Sequence, residues 1–303
     1  MRTAFALRVP ARLTSAAAVL VLGLTAAACA PQEDSASRGP SSPAGSAPAS
    51  AGASCAPGKL DTRTAEVLTI GTDNPAYAPW FQDNKPANGK GYESAVAYAV
   101  AKRLGYGKGA VTWRTVAFNN AFAPGAKAFD FDINQVSVTA DRKKAVDFSS
   151  GYYDVRQAVV ALKDSPAANA TDVAALKKVK LGAQVGTTSL DLINDEIKPE
   201  RTAAVYQKND LAVAALKNGQ VDAIVVDLPT AFYITSAELD DAKVVGQFAT
   251  TAGAQEQFGL VLDKGSPLTA CVTEAVDALR ADGTLAKLEQ QWLSDAVGAP
   301  VLK

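Results

Sequence analysis

Apolar and polar residues alternate along residues 129–138 (F-D-F-D-I-N-Q-V-S-V), the pattern of a strand with one buried face. The alternation ends at Thr139, a residue type that caps helix N-termini, and Ala140, Asp141 and Arg142 follow. A strand that runs into a short helix is the expected result. Related patterns recur along the chain. Short apolar strand runs fall at 67–70, 111–117, 129–134, 180–185, 221–227 and 258–262. Helical periodicity falls at 94–104, 210–216, 229–237 and 267–293, the last broken at Gly283. Strands alternating with helices predict an α/β protein with mostly parallel, doubly wound sheets. No internal repeat is visible.

The strand-to-helix junction brings a hydroxyl (Ser137), free backbone N–H groups and a guanidinium (Arg142) towards one point. Such a set suits a carboxylate, because the planar fork pairs with both oxygens and the N–H groups add donors. A lone arginine on a helix turn is ordinarily just a solvated residue. Here the longer run S-V-T-A-D-R-K-K-A-V-D-F-S-S-G-Y-Y, residues 137–153, changes the picture. It resembles the signature of the family 3 bacterial extracellular solute-binding proteins for polar amino acids, the receptor components of ABC importers. The resemblance extends from about residue 66 to residue 293.

What the resemblance implies is a two-lobe periplasmic-binding-protein fold of type II, its doubly wound sheets joined by a two-strand hinge. The chain would cross between lobes near 159–163 and 249–255. Lobe one would then be 55–160 with 252–303, and lobe two 161–251. The ligand would lie in the cleft, at the C-terminal ends of strands.

The same resemblance assigns roles. Arg142 and Ser137 would take the ligand's carboxylate. Thr187 and Thr188, in the strand-to-helix turn G-T-T-S at 186–189, would join them, although both also read as ordinary helix caps. Gln184, at the end of the strand leading into that turn, is counted with the ligand-binding residues. Asp227 ends an apolar strand just before a helix started by Pro229; alone, it reads more readily as an N-cap than as a ligand contact, but it matches the ammonium-binding aspartate of the family. Gln135 stands where relatives usually carry Gly, Ala or Ser. It would offer its backbone carbonyl, and its side chain would fill part of the pocket or read a polar ligand. Tyr77 and Phe118 match the positions that sandwich the ligand, with core packing as the alternative for each. Trp80, in the same loop as Tyr77, is counted with the ligand-binding residues. Asp73 follows the first strand, but its spacing to Tyr77 is one residue longer than in relatives.

Composition narrows the function further. With 30 basic and 31 acidic residues, the net charge of −1 gives no reason to expect nucleic acid. The chain has no histidine, which removes Ser-His-Asp and Cys-His catalysis and histidine-based metal sites. Residues 1–28 read as a secretory signal: Arg2, Arg8 and Arg12, then an apolar core at 13–24 that is short for a membrane span. Thr25-Ala26-Ala27-Ala28-Cys29 resembles a lipobox, with Ala26 where leucine is usual. Cys29 would carry a lipid anchor to the outer face of the cell membrane; simple cleavage is the alternative. Residues 29–54, rich in Ala, Ser, Pro and Gly, would be a flexible tether. Cys55 and Cys271 would pair once the chain reaches an oxidising compartment; two buried thiols are the alternative. The expectation is a monomeric extracytoplasmic receptor that binds a free, polar amino acid and hands it to an ABC permease. It needs no cofactor, metal or nucleic acid and is not an enzyme. The rivals are a ligand-sensing lipoprotein uncoupled from an importer, and a dehydratase-like enzyme on the same fold with Asp73 or Glu93 as its acid.

Overall fold

The computed structural model describes Cys55 and residues 58–249, 255–293 and 298–302. The signal sequence expected at 1–28, Cys29 and the linker at 29–54 lie outside the described residues. Among the described residues no helix is long and apolar enough to cross a membrane.

The chain begins with β1 (Leu68–Thr72), α1 (Tyr92–Arg103), β2 (Val111–Thr115), α2 (Phe118–Ala121) and β3 (Phe131–Asp132). It continues with α3 (Arg142–Ala145), β4 (Val146–Asp154), β5 (Gln157–Leu162), α4 (Val173–Leu176), β6 (Leu181–Gln184) and α5 (Thr188–Leu192). Then come β7 (Ala204–Tyr206), α6 (Asn209–Lys217), β8 (Ala223–Asp227), α7 (Leu228–Tyr233) and β9 (Ala242–Phe248). The described chain closes with β10 (Gln257–Asp263), α8 (Thr269–Ala281), α9 (Thr284–Leu293) and β11 (Val301–Leu302).

These strands form two sheets, one in each lobe. The first is five-stranded, in the order β2-β1-β3-β10-β4; the second is six-stranded, β11-β9-β5-β8-β6-β7. β1 lies parallel to both β2 and β3, and β10 runs antiparallel to β3 and β4. Alternation explains how β5 sits in the middle of its sheet. Val159 and Ala161 pack into the apolar cluster on one face, Ala158 and Val160 into the cluster on the other. β8 divides in the same way, Ala223 and Val225 against Ile224 and Val226. The first lobe is held by a larger, aromatic-rich cluster that includes Trp80, Phe81, Tyr92, Phe131 and Phe258. Cys55 and Cys271 form a disulfide, with Cα atoms 5.3 Å apart, that ties the start of the described fold to α8 across 216 residues.

Several sequence expectations change. The strand expected over 129–138 shrinks to β3, because Gln135 turns the backbone with a φ of 49°. Val136 and Val138 then pair with β10 instead: Gly259 N donates to Val136 O at 3.1 Å, and Val138 N to Gln257 O at 2.8 Å. Thr139 does cap the next turn, accepting from Arg142 N at 3.2 Å, but the helix it opens is the single turn α3. The first crossing comes earlier than 159–163. β4 ends in one sheet at Asp154 and β5 begins in the other at Gln157, so the chain crosses at Val155 and Arg156. An apolar run buried on both faces reads alike in either lobe, so pattern alone could not assign β5. The C-terminus also leaves lobe one, since β11 pairs with β9 in the second sheet.

Candidate ligand site between the lobes

The crossing strands place a cavity between the two sheets. Asp73, Tyr77, Phe118, Asn134, Gln135, Ser137, Arg142, Gln184, Thr187, Thr188, Ser189, Asn209, Val226 and Asp227 line it, around an empty volume of about 480 Å³. Both lobes contribute: β1, α2 and the turn after β3 from one side, the ends of β6 and β8 and the start of α5 from the other.

Arg142 is the cation of this cavity, and only 9% of it is exposed. Its Nη1 donates to Ser137 O at 2.7 Å, within its own lobe. Its Nη2 donates across the cleft to Gly186 O at 2.8 Å. The guanidinium also lies over Phe122 (4.3 Å to the ring centroid) and Phe118 (5.7 Å). Burial lowers its pKa to about 10, partly offset by the charges of Asp191 and Glu256, so it stays cationic at neutral pH. The solvated reading of this arginine is therefore excluded.

Asp227 places an acid opposite Arg142, at the end of β8. It stands at the N-cap of α7 yet makes no side-chain capping bond. Its Oδ1 accepts weakly from Gln157 Nε2 at 3.4 Å. Enclosure in the cavity pushes its pKa well above the usual carboxylate range, and the nearby Glu256 and Glu93 carboxylates push the same way. A cation arriving beside it favours its ionised form.

Other expected residues divide into those facing the cavity freely and those already committed. Gln135 lines it, but its backbone N donates to Glu93 Oε1 at 2.7 Å and its side-chain amide donates to Glu93 Oε2. Thr187 lines it too, yet its hydroxyl is taken: it accepts from Leu190 N at 3.2 Å as the N-cap of α5 and donates to Gln184 O at 2.8 Å. The capping reading therefore holds for its side chain, which leaves only its backbone free to face the cavity. Tyr77 reaches over the cleft to Asp210 Oδ1 at 3.2 Å. Asp73 accepts from Asn74 N at 2.6 Å and Phe118 N at 3.3 Å. Phe118 both faces the cavity and packs with Phe122, so its two readings merge. Trp80 is the correction. It does not line the cavity; it is fully buried among Tyr92, Tyr153 and Phe258, and its indole N–H donates to Thr230 Oγ1 of the other lobe at 2.9 Å.

Sequence reasoning missed Glu256, in the segment leading into β10, and Gln157, the first residue of β5. Ser137 Oγ donates to Glu256 Oε1 at 2.5 Å, and Thr188 Oγ1 to the same oxygen at 2.6 Å. Ser189 Oγ donates to Gln157 Oε1 at 2.6 Å. No sequence signal marked either residue: Glu256 stands between Gln255 and Gln257, and Gln157 follows Arg156. Glu93, which the sequence offers only as the acid of an enzymatic alternative, is a different kind of group in the structure. It is fully buried behind the cavity, with Gln135 and the Tyr152 hydroxyl as donors, and burial raises its pKa to about 7.

Residues 68–295 match the family described as "Bacterial extracellular solute-binding proteins, family 3". The chain belongs to that family. The family 3 relatives include the L-cystine-binding protein TcyJ of Escherichia coli (strain K12), 27% identical over 239 residues, with 78% of this chain and 84% of TcyJ covered. They also include the arginine-binding extracellular protein ArtP of Bacillus subtilis (strain 168), 27% identical over 232 residues and covering 75% of this chain and 86% of ArtP. Among solved structures, an ancestral arginine-binding protein bound to glutamine superposes with a TM-score of 0.64 at 28% identity, over 76% of this chain and 98% of its own. These relatives are named as binding proteins, not enzymes, and family 3 members are extracellular or periplasmic solute-binding proteins. The fold is therefore the type II two-lobe fold of periplasmic amino-acid-binding proteins.

Proposed function

We propose that this chain is an extracytoplasmic receptor that closes on one free, polar α-amino acid and presents it to an ABC import permease. The observation that carries the reading is the pairing of Arg142 and Asp227 in one interlobe cavity, one cation and one underpaired acid on opposite lobes. A zwitterion needs both, because burying either of its ions unpaired costs several kcal/mol.

In this reading the ligand's carboxylate faces Arg142 and takes the hydroxyls of Ser137 and Thr188. Its ammonium pairs with Asp227, and its side chain runs between Tyr77 and Phe118 towards Asp73, Asn134 and Gln135. Ser137 and Thr188 come from different lobes, as do Arg142 and Asp227. Ligand contacts of that kind exist only in the closed form and so favour closure. The closed shape is what a permease would recognise.

Calorimetric titration of Arg142→Ala and Asp227→Ala against the common L-amino acids tests the assignment. Each variant is expected to lose at least a hundredfold in affinity while its circular dichroism stays native. Undiminished binding by either variant removes that residue from the site.

A further inference from the structure

The hydroxyl pair suited to a ligand's carboxylate already holds one. Glu256 Oε1 accepts from Ser137 Oγ at 2.5 Å and Thr188 Oγ1 at 2.6 Å, lengths of charge-assisted O–H···O⁻ bonds. Those hydroxyls belong to different lobes and stand 3.2 Å apart. The other oxygen, Oε2, accepts from Gln157 Nε2 at 3.4 Å. The guanidinium of Arg142 is close enough to feel the same charge. Glu256 reaches this position because its backbone is fixed by the hinge: Val155 N, in the other crossing segment, donates to Glu256 O at 2.8 Å.

We propose that Glu256 is a built-in stand-in for the ligand's carboxylate. It binds the ligand-free cleft from within, bridges the lobes through Ser137 and Thr188, and must be expelled before an external carboxylate can sit there. The second part rests on the amino-acid reading above; the bridging does not. A carboxylate seated between two hydroxyls leaves no donor on that side for a second one, and two carboxylates at hydrogen-bond distance repel. A contact that favours a ligand-incompatible state lowers apparent affinity by the stability it adds to that state. Glu256 would thus set both the resting closure of the cleft and the concentration at which ligand wins.

Two measurements on the full chain and its Glu256→Ala and Glu256→Gln variants test this. The first uses no ligand: spin labels, one per lobe, report the interlobe distance. Wild type is expected to hold a short distance as the main population, and Glu256→Ala a longer, broader one. The second is calorimetry with L-amino acids and with amines that lack a carboxylate. Glu256→Ala is expected to bind amino acids at least fivefold tighter than wild type, with Glu256→Gln between them, while carboxylate-free amines gain nothing. An unchanged ligand-free distance overturns the proposal, as does weaker amino-acid binding by Glu256→Ala, which would make Glu256 a direct ligand contact. If wild type binds no amino acid, the functional reading fails, and the ligand-free distance alone decides the role of Glu256.

Discussion

Arg142 Nη2 donates to the carbonyl of Gly186 across the cleft at 2.8 Å, so the cation of one lobe is closed directly onto the backbone of the other. That approach depends on residue 186 being glycine. Its φ is +75°, and a Cβ there would run into the Asn119 side chain of lobe one. Gly186→Val adds both strain of about 1–2 kcal/mol and a clash at the seam. It is expected to weaken ligand binding tenfold or more and to lengthen the interlobe distance, with native circular dichroism. Wild-type affinity in this variant would mean that the seam at Gly186 is not part of closure.

Glu93 gives stability a definite pH trend. Its folded pKa is raised from 4.5 to about 7, chiefly by burial. Between those values the native state keeps a proton that the unfolded chain gives up. Stability from this group is therefore highest at low pH and declines as pH climbs from about 4.5 through 7. Asp132, fully buried and without a hydrogen-bond partner for either oxygen, is shifted in the same direction. The melting temperature should be higher at pH 5 than at pH 8, and Glu93→Gln should flatten that slope. A Glu93→Gln slope equal to wild type would contradict the assignment.

Asp227 predicts a proton released on binding. Its pKa in the ligand-free cavity is pushed well above the carboxylate range, while an arriving ammonium favours the ionised form. Binding enthalpies measured in phosphate and in Tris at one pH should differ by the buffers' ionisation enthalpies times the released fraction. Asp227→Asn should abolish the difference. Equal enthalpies for wild type in both buffers would contradict it.

The disulfide makes a separate prediction about stability. Cys55 and Cys271 close a loop of 216 residues. The chain-entropy treatment gives about 5 kcal/mol for such a loop, and replacing both cysteines with serine should lower the melting temperature on the order of 10 °C. Ligand affinity should stay within a factor of two, since neither residue lines the cavity. An unchanged melting temperature would contradict the stabilising role.

The alternation of β and α segments and the S-V-T-A-D-R run made the fold class and the Arg142 side of the cavity legible in the sequence. Asp227 came from the family resemblance, since an aspartate at a strand end just before Pro229 reads more readily as an N-cap. What stayed hidden depends on tertiary contacts. Trp80 looks like Tyr77 in a loop, but one packs inward on Phe258 and the other reaches Asp210. The positive φ of Gln135 ends β3 early, and no residue type there announces it. β5 is apolar whichever sheet it joins, so pattern alone puts the first crossing several residues too late. Glu256 precedes a strand in an unremarkable polar stretch, and only the pairing of the two hinge segments aims it at Ser137 and Thr188.

The central claim, a zwitterion held at both poles, is tested most directly by trimming the ligand rather than the protein. The L-amino acid that binds best should be titrated beside its matched amine without the carboxylate and its matched acid without the ammonium. The account predicts micromolar binding of the intact amino acid, about −8 kcal/mol, and a loss of a hundredfold or more for each trimmed compound. Equal binding of either trimmed compound would contradict it.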